Sequence, residues 1–284
     1  MRRLAFLCLL VLSGALPALG SGPLRVLPLG GPVTETVYAL GAGDLVVGTD
    51  TSSVYPEAAT RLPQVGYQRT LAAEGILSLR PDLVLATDEA GPANVLEQLR
   101  TAGVKVVLVP SKHSVAGAQA KVRAIAVALD RESDGNKLAD RIAAQADEAQ
   151  KFLAASPDKP TVLFLYARGA STLNVSGRDT AADAMIALAG ARNAVTGYEG
   201  YKPLTAEAAV AAAPEYLLMM DRGLGSIGGR DAVFNQPGLA LTPAGQHKRV
   251  VAMDDLLLLG FGPRTGQAIT ELARALHPSA DRQP

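Results

Sequence analysis

Four groups of residues in this chain have the types and spacings that chemistry needs, and they point in different directions. Gly223-Leu224-Gly225-Ser226-Ile227-Gly228 fits the G-x-G-x-x-G fingerprint after an apolar run, so it could cradle a dinucleotide phosphate at a helix start. Against this, Asp254 and Asp255 fall later than the acidic residue expected about 20 positions on. The bland reading is a flexible loop near a cleft. The histidines His113, His247 and His277 are scattered, with no spacing that sets two imidazoles on one helical face for zinc. His277, beside Pro278, reads as a cap on the last helix. The segment Val65-Gly66-Tyr67-Gln68-Arg69-Thr70-Leu71 puts a tyrosine and an arginine in one loop, either as a surface contact or as part of a binding rim. Finally, two glutamates recur in one setting. Leu71-x-x-Glu74 leads to Pro81 and Leu204-x-x-Glu207 leads to Pro214, each seven residues beyond its glutamate.

The repeat says how these residues are carried. Each copy reads as a short helix led by a glutamate and stopped by proline, running into Asp82-Leu83-Val84-Leu85 or Glu215-Tyr216-Leu217-Leu218. Two similar α/β lobes have a crevice between them, where small ligands usually bind, and Glu74 and Glu207 then hold equivalent places on the two lobes. Strands are expected at 25–29, 45–48, 83–86 and 104–109, then at 161–166, 216–220 and 250–253. Helices are expected near 34–40, 73–79 and 93–102, then near 180–189, 206–212 and 265–276. Pro28 makes the first strand the least secure. Near-continuous Val/Leu runs suit parallel strands covered on both faces. Between the halves runs a proline-free segment from Ser114 to about Ala155, interrupted near Ser133-Asp134-Gly135. Its second part carries Leu138, Ile142, Ala146, Ala149 and Phe152 at helical spacing, which predicts one helix of about five turns from lobe to lobe. The expected fold is therefore α/β, two Rossmann-like lobes with parallel sheets, joined by a single long helix. Its divisions are a signal peptide at 1–20, a first lobe at 21–130, the interlobe helix at 131–157 and a second lobe at 158–284.

The ends and the composition exclude several classes. Arg2-Arg3, the apolar run Leu4 to Leu12 and the small residues up to Gly20 read as a secretory leader, which predicts an exported protein. The apolar run is too short to span a bilayer. The single cysteine, Cys8, lies in that leader after Leu7, where a lipid-attachment site would want a small residue. Disulfides and thiolate chemistry are thus not expected of the mature chain. The 27 basic and 27 acidic residues balance, so there is no field to hold nucleic acid.

The stretch from Gly66 through Tyr67-Gln68-Arg69-Thr70-Leu71-Ala72-Ala73-Glu74 to Val84 closely resembles the periplasmic haem-binding proteins of bacterial haem ABC importers. The likeness extends from about Arg25 to the final helix. It includes Leu29-Gly30 leading to Thr34-Glu35, Asp221-Arg222-Gly223-Leu224, and Asn235-Gln236-Pro237-Gly238. The resemblance implies a monomeric carrier that catalyses nothing and brings haem, as cargo, to an inner-membrane permease and its ATPase. Within it, Tyr67 matches the axial ligand to haem iron and Arg222 matches an arginine near the tyrosine oxygen. Glu74 and Glu207 look like the pair that docks each lobe onto the permease. A free phenol titrates near about 10, so an anionic phenolate needs a strong partner, which ferric iron and a guanidinium both supply. Such an oxygen donor favours Fe(III). The porphyrin face implies an apolar crevice, with Arg69, Lys202, Arg168 and Arg178 as candidates near the propionates. Tyr198 and Tyr201 either cover the porphyrin or simply pack their loop. No second axial ligand is identifiable, so five-coordinate iron is expected. The rival cargoes on the same fold are cobalamin and a ferric siderophore; the absence of tryptophan weighs mildly against cargo held on large aromatic platforms. The remaining rival is an exported dinucleotide-dependent enzyme.

Overall fold

The computed structural model describes residues 22–156, 158–167, 169 and 173–278. The leader expected at 1–20 and Arg168 lie outside the described residues. In the first half, β1 (Val26–Leu29), β2 (Leu83–Thr87) and β3 (Lys105–Val109) form a parallel sheet in the order β1-β2-β3. Around it lie α1 (Gly31–Ala39), α2 (Glu57–Thr60), α3 (Ala73–Ser78), α4 (Ala93–Thr101) and α5 (Val115–Ala128). The side chains of β1 and β2 alternate between two buried layers. Val26, Leu83 and Leu85 pack with α1 and α5, while Leu27, Leu29, Val84 and Ala86 pack with α3 and α4. Burial on both faces explains why these strands read as unbroken apolar runs. Pro28 is tolerated because β1 stands at the edge of the sheet.

The expected strand at 45–48 is absent. Residues Gly43–Leu45 form a 3-10 turn, and only Val46 makes a bridge, to Val26. The chain then turns at Asp50, whose buried carboxylate takes the Gly30 and Ser52 amides at 2.9 and 3.0 Å and both the Ser52 and Ser53 hydroxyls at 2.6 Å. With four local donors converging on one carboxylate, backbone pairing gives way to a side-chain anchor.

The long helix is α6 (Glu132–Ala154), 23 residues and about 35 Å long at the usual rise per residue. It begins after Asp130, which adopts φ 55, so the break falls ahead of Ser133-Asp134-Gly135 rather than at it. Gly135 belongs to the first turn because α5 crosses there: a Cβ at Gly135 would stand 2.2 Å from the Ala126 Cβ. Leu138, Ala139 and Ile142 are buried in the first lobe's core, and Ala146 and Ala149 in the second's. One amphipathic helix thus supplies a wall to both lobes.

The second sheet corrects the expectation of parallel strands throughout. β4 (Thr161–Ala167), β8 (Tyr216–Met220) and β9 (Val250–Met253) are parallel, and the short β6 (Arg192–Asn193) pairs parallel with β4. However, β5 (Leu173–Ser176) returns antiparallel against β4, and β7 (Tyr201–Pro203) runs antiparallel against β5, in the order β7-β5-β4-β8-β9. Ala167 and Leu173 pair with each other only six positions apart, too few for the crossover that a parallel return needs. The helices are α7 (Ala181–Leu188), α8 (Ala206–Ala212), α9 (Asp221–Ser226), α10 (Arg230–Val233), α11 (Pro243–Gln246), α12 (Asp255–Leu259) and α13 (Thr265–Leu276).

The repeat seen in the sequence holds at the level of hydrogen bonds. Helices α3 and α8 each end ahead of a residue in the left-handed region, Arg80 at φ 45 and Ala213 at φ 41, directly before Pro81 and Pro214. The acid that follows then clamps the neighbouring strand. Asp82 accepts the Arg25 amide ahead of β1, and Glu215 accepts the Thr161 amide at the start of β4, both at 2.8 Å.

Candidate functional site

Tyr67 is positioned by backbone, not by its own side chain. Gly66 sits at φ 93, which a residue with a Cβ adopts only under strain, and its carbonyl accepts the Thr51 amide at 2.9 Å just beyond the Asp50 anchor. Tyr67 opens a turn closed by the Thr70 amide, Gln68 receives the Gly91 amide on its carbonyl, and Gly91 in turn receives the Leu71 amide. The ring is left 37% exposed, and among the described residues its hydroxyl has no hydrogen-bond partner. A rigid loop therefore presents a phenol outward.

Arg69, two residues on, pairs with Glu89 from the turn after β2. Burial works against its charge, but the hydrogen bond and charge of Glu89, with Tyr67 and Tyr166 adding, hold its pKa above the ordinary guanidinium value. Tyr166 is the next-to-last residue of β4 in the other lobe, so one guanidinium feels phenols from both lobes. Tyr166 packs on Tyr201 at 5.8 Å between ring centroids, and Tyr201 also meets Phe164 edge-on at 6.4 Å. Burial raises the Tyr201 hydroxyl's pKa, opposed by hydrogen bonds with Thr180 and Ser176.

Between the lobes lies a cavity of about 510 Å³ lined by Glu89, Ser111, Lys112 and His113 on one side and Asp179, Thr180, Asp183 and Ala184 on the other. This wall is mainly polar, a correction to the apolar crevice expected; aromatic surface comes instead from Tyr67, Tyr166 and Tyr201. In the sequence His113 is only one of three scattered histidines. It is exposed in this wall with its ring 5.3 Å from Phe261, and partial desolvation pushes its pKa down.

Arg222, Arg178 and Lys202 each have a partner close by. Arg222, on α9, lies beside Asp255 at 4.0 Å and donates its amide to the same carboxylate at 3.3 Å. Arg178 faces Glu199 at 3.5 Å, and the Lys202 Nζ sits 4.6 Å over the Tyr198 ring. Tyr198 donates its hydroxyl to the Val175 carbonyl at 3.1 Å, with Gly177 against its ring. These contacts pack the loop, one of the two roles open to Tyr198. The glycine fingerprint is corrected as well. Helix α9 starts at Asp221, so Gly223 and Gly225 lie inside it and a carboxylate occupies the end where a phosphate would bind.

His277 stands at the end of α13, but its ring serves other elements. Nε2 lies 3.2 Å from the Ala189 carbonyl and must donate to it, which leaves Nδ1 to accept from the Ser156 hydroxyl at 3.0 Å. Glu74 and Glu207 lie in the first turns of α3 and α8, both exposed and, among the described residues, without an ion-pair partner. Among the described residues no cluster of three or more His, Cys, Asp or Glu could hold a metal, and no helix is long and apolar enough to cross a membrane.

A family profile described as periplasmic binding protein matches residues 28–257, nearly the whole of both lobes. The chain belongs to the periplasmic binding protein family. A periplasmic binding protein works outside the cytoplasm, and its family is one of binding proteins rather than enzymes. Among solved structures, this periplasmic binding protein is similar to the periplasmic haem-binding protein RhuT from Roseiflexus sp. RS-1 in its apo form. The two are 46% identical with a TM-score of 0.88, over 91% of this chain and 100% of that one. An uncharacterized ABC transporter substrate-binding lipoprotein of Bacillus subtilis, YvrC, is 28% identical over 264 residues, 92% of this chain and 82% of the relative. A vitamin B12-binding protein of Photorhabdus laumondii is 39% identical over 98 residues, 34% of this chain and 36% of the relative.

Proposed function

We propose that this periplasmic binding protein carries ferric haem in the crevice between its lobes and hands it to an inner-membrane ABC permease with its ATPase. The observation that carries the reading is Tyr67. A phenol without an internal partner is held outward on a clamped loop, two residues from an arginine that pairs with Glu89. Such a phenol could give up its proton to solvent when its oxygen binds ferric iron, because the metal and the guanidinium both favour the anionic oxygen. Tyr166 brings a second phenol to the same guanidinium from the other lobe, and Arg222 stands ready on α9. Glu74 and Glu207 would meet cations of the permease. Likeness to a haem-binding protein along the whole of that structure, at 46% identity, supports haem over vitamin B12, two of whose binding proteins are matched over 34% and 60% of this chain at 39% and 30% identity. The protein would act as a monomer in the periplasm, freed of residues 1–20.

Loading the purified protein separately with hemin, cyanocobalamin and a ferric siderophore tests this. Tight binding of hemin alone, with a ferric tyrosinate spectrum, is expected. Saturation by either rival with none by hemin would overturn it.

A further inference from the structure

The two docking glutamates stand on unlike ground. Val210 follows Glu207 by three positions on α8, so the two are neighbours on one helical face, and Val210 is 44% exposed. The chain after α10 runs alongside this helix. Gly238 is so close that a Cβ there would stand 2.5 Å from the Ala206 carbonyl oxygen, and further on the Ala244 amide donates to the Pro214 carbonyl at 2.8 Å. Leu241 lies between these two anchors, beside the middle of α8, and is 71% exposed. Thr242, next to it, is buried and caps α11 by accepting the Gly245 amide, so Leu241 is held outward by structure rather than by chance of a loose loop. In the first lobe, the position matching Val210 is Leu77, which is half-buried and packs into the core. On the adjacent α4, Leu96 and Leu99 are buried.

We infer that Val210 and Leu241 extend the Glu207 contact into a mixed apolar and acidic docking patch. Its partner is the periplasmic face of the permease, which must offer an aliphatic hollow beside a cation. The inference rests on the docking role proposed for Glu74 and Glu207. That role selects the partner: an unpaired carboxylate on the same helical face calls for a basic surface, and its repeat on the other lobe calls for a surface that offers the cation twice. The second lobe then contributes a salt-insensitive share of the binding, while the first lobe contributes through charge alone.

The test is binding of the haem-loaded protein to its importer, permease and ATPase together, reconstituted in lipid nanodiscs, at low and high salt. Leu241→Ser should weaken the complex roughly tenfold, the factor for keeping one leucine out of water, and equally at both salt levels. Glu207→Gln should weaken it at low salt and much less at high salt, where charges are screened. Both variants alter exposed side chains, and an unchanged hemin spectrum confirms the fold. If Leu241→Ser binds like the parent while Glu74→Gln/Glu207→Gln fails, the apolar patch is wrong and the glutamate docking stands. If that double variant binds as tightly as the parent, the docking role itself is wrong. If Leu241→Ser changes only self-association, or only adsorption to protein-free vesicles of the same lipid, the patch belongs to a second copy or to the bilayer and the inference is overturned.

Discussion

Glu35 and Arg264, 229 positions apart, form a buried ion pair between α1 of the first lobe and the start of α13 in the second. Arg264 also lies 3.9 Å over the Tyr55 ring and 3.8 Å from Asp254. Burial raises the pKa of Glu35 even though Arg264 opposes it, so the carboxylate depends on its partner. Together with the Lys121 ammonium, which donates to the carbonyls of Gly260 and Phe261 at 3.2 and 3.0 Å, this pair fixes residues 260–264 of one lobe onto the other. The lobes are pinned by more than the long helix.

Replacing Arg264 with Met should therefore cost about 3–5 kcal/mol in urea unfolding, because it strands a buried carboxylate. Adding Glu35→Met should restore most of the loss. A double variant as unstable as the single one would show that packing, not charge, holds the junction.

Lys121 makes stability depend on pH with a definite sign. It is 2% exposed, and burial pulls its pKa down to about 8 from 10.5, partly offset by Glu89 and Asp88. Below pH 8 both folded and unfolded chains hold the proton and the cost of burying the charge is felt in full. Between about 8 and 10.5 the unfolded chain holds more proton than the folded one, so stability rises with pH. The parent minus Lys121→Met difference in unfolding free energy should climb across that window by an amount on the order of a few kcal/mol. A flat difference would show that Lys121 titrates normally.

Asp50 should matter to the ligand although it touches none. Asp50→Ala leaves two amides and two hydroxyls without their acceptor in a buried turn, and should lower stability by about 2 kcal/mol or more. Hydrogen exchange at Thr51, whose amide holds the Gly66 carbonyl, should quicken, and hemin should bind more weakly. Unaltered exchange at Thr51 would separate the anchor from the loop.

Gly66→Ala isolates the loop's backbone. No atom lies within 4 Å of the position a Cβ would take, so any effect comes from φ 93 and not from crowding. A loss of about 1–2 kcal/mol in stability is expected, with a shifted tyrosinate band. Full parental stability would mean that the turn accepts another conformation.

Much of this was legible in the residues because it rests on local physics. The runs at 216–220 and 250–253 and the helices at 206–212 and 265–276 emerge within the bounds expected, since burial on fixed faces stamps a period on the sequence. The Glu74 and Glu207 repeat was visible for the same reason, down to the proline that stops each helix. What could not be read depends on long-range closure. The antiparallel return of β5 is set by a short link, and the missing strand at 45–48 by the Asp50 anchor. Tyr166 was recognised as the end of a strand but not as a wall of the crevice; its place at the carboxyl end of β4 was the available signal. His113 gave only its position after β3. The glycine fingerprint misled because a motif carries no information on where its helix begins.

The central claim is that the Tyr67 oxygen meets ferric haem iron, and titration of hemin into the parent and into Tyr67→Phe, followed by absorption spectroscopy, tests it most directly. The phenylalanine keeps the ring and removes only the donor oxygen. The parent should show a Soret band with ferric tyrosinate features, and the variant should lose those features and bind at least about tenfold more weakly, as loss of an iron ligand requires. An identical spectrum and affinity in Tyr67→Phe would contradict the account.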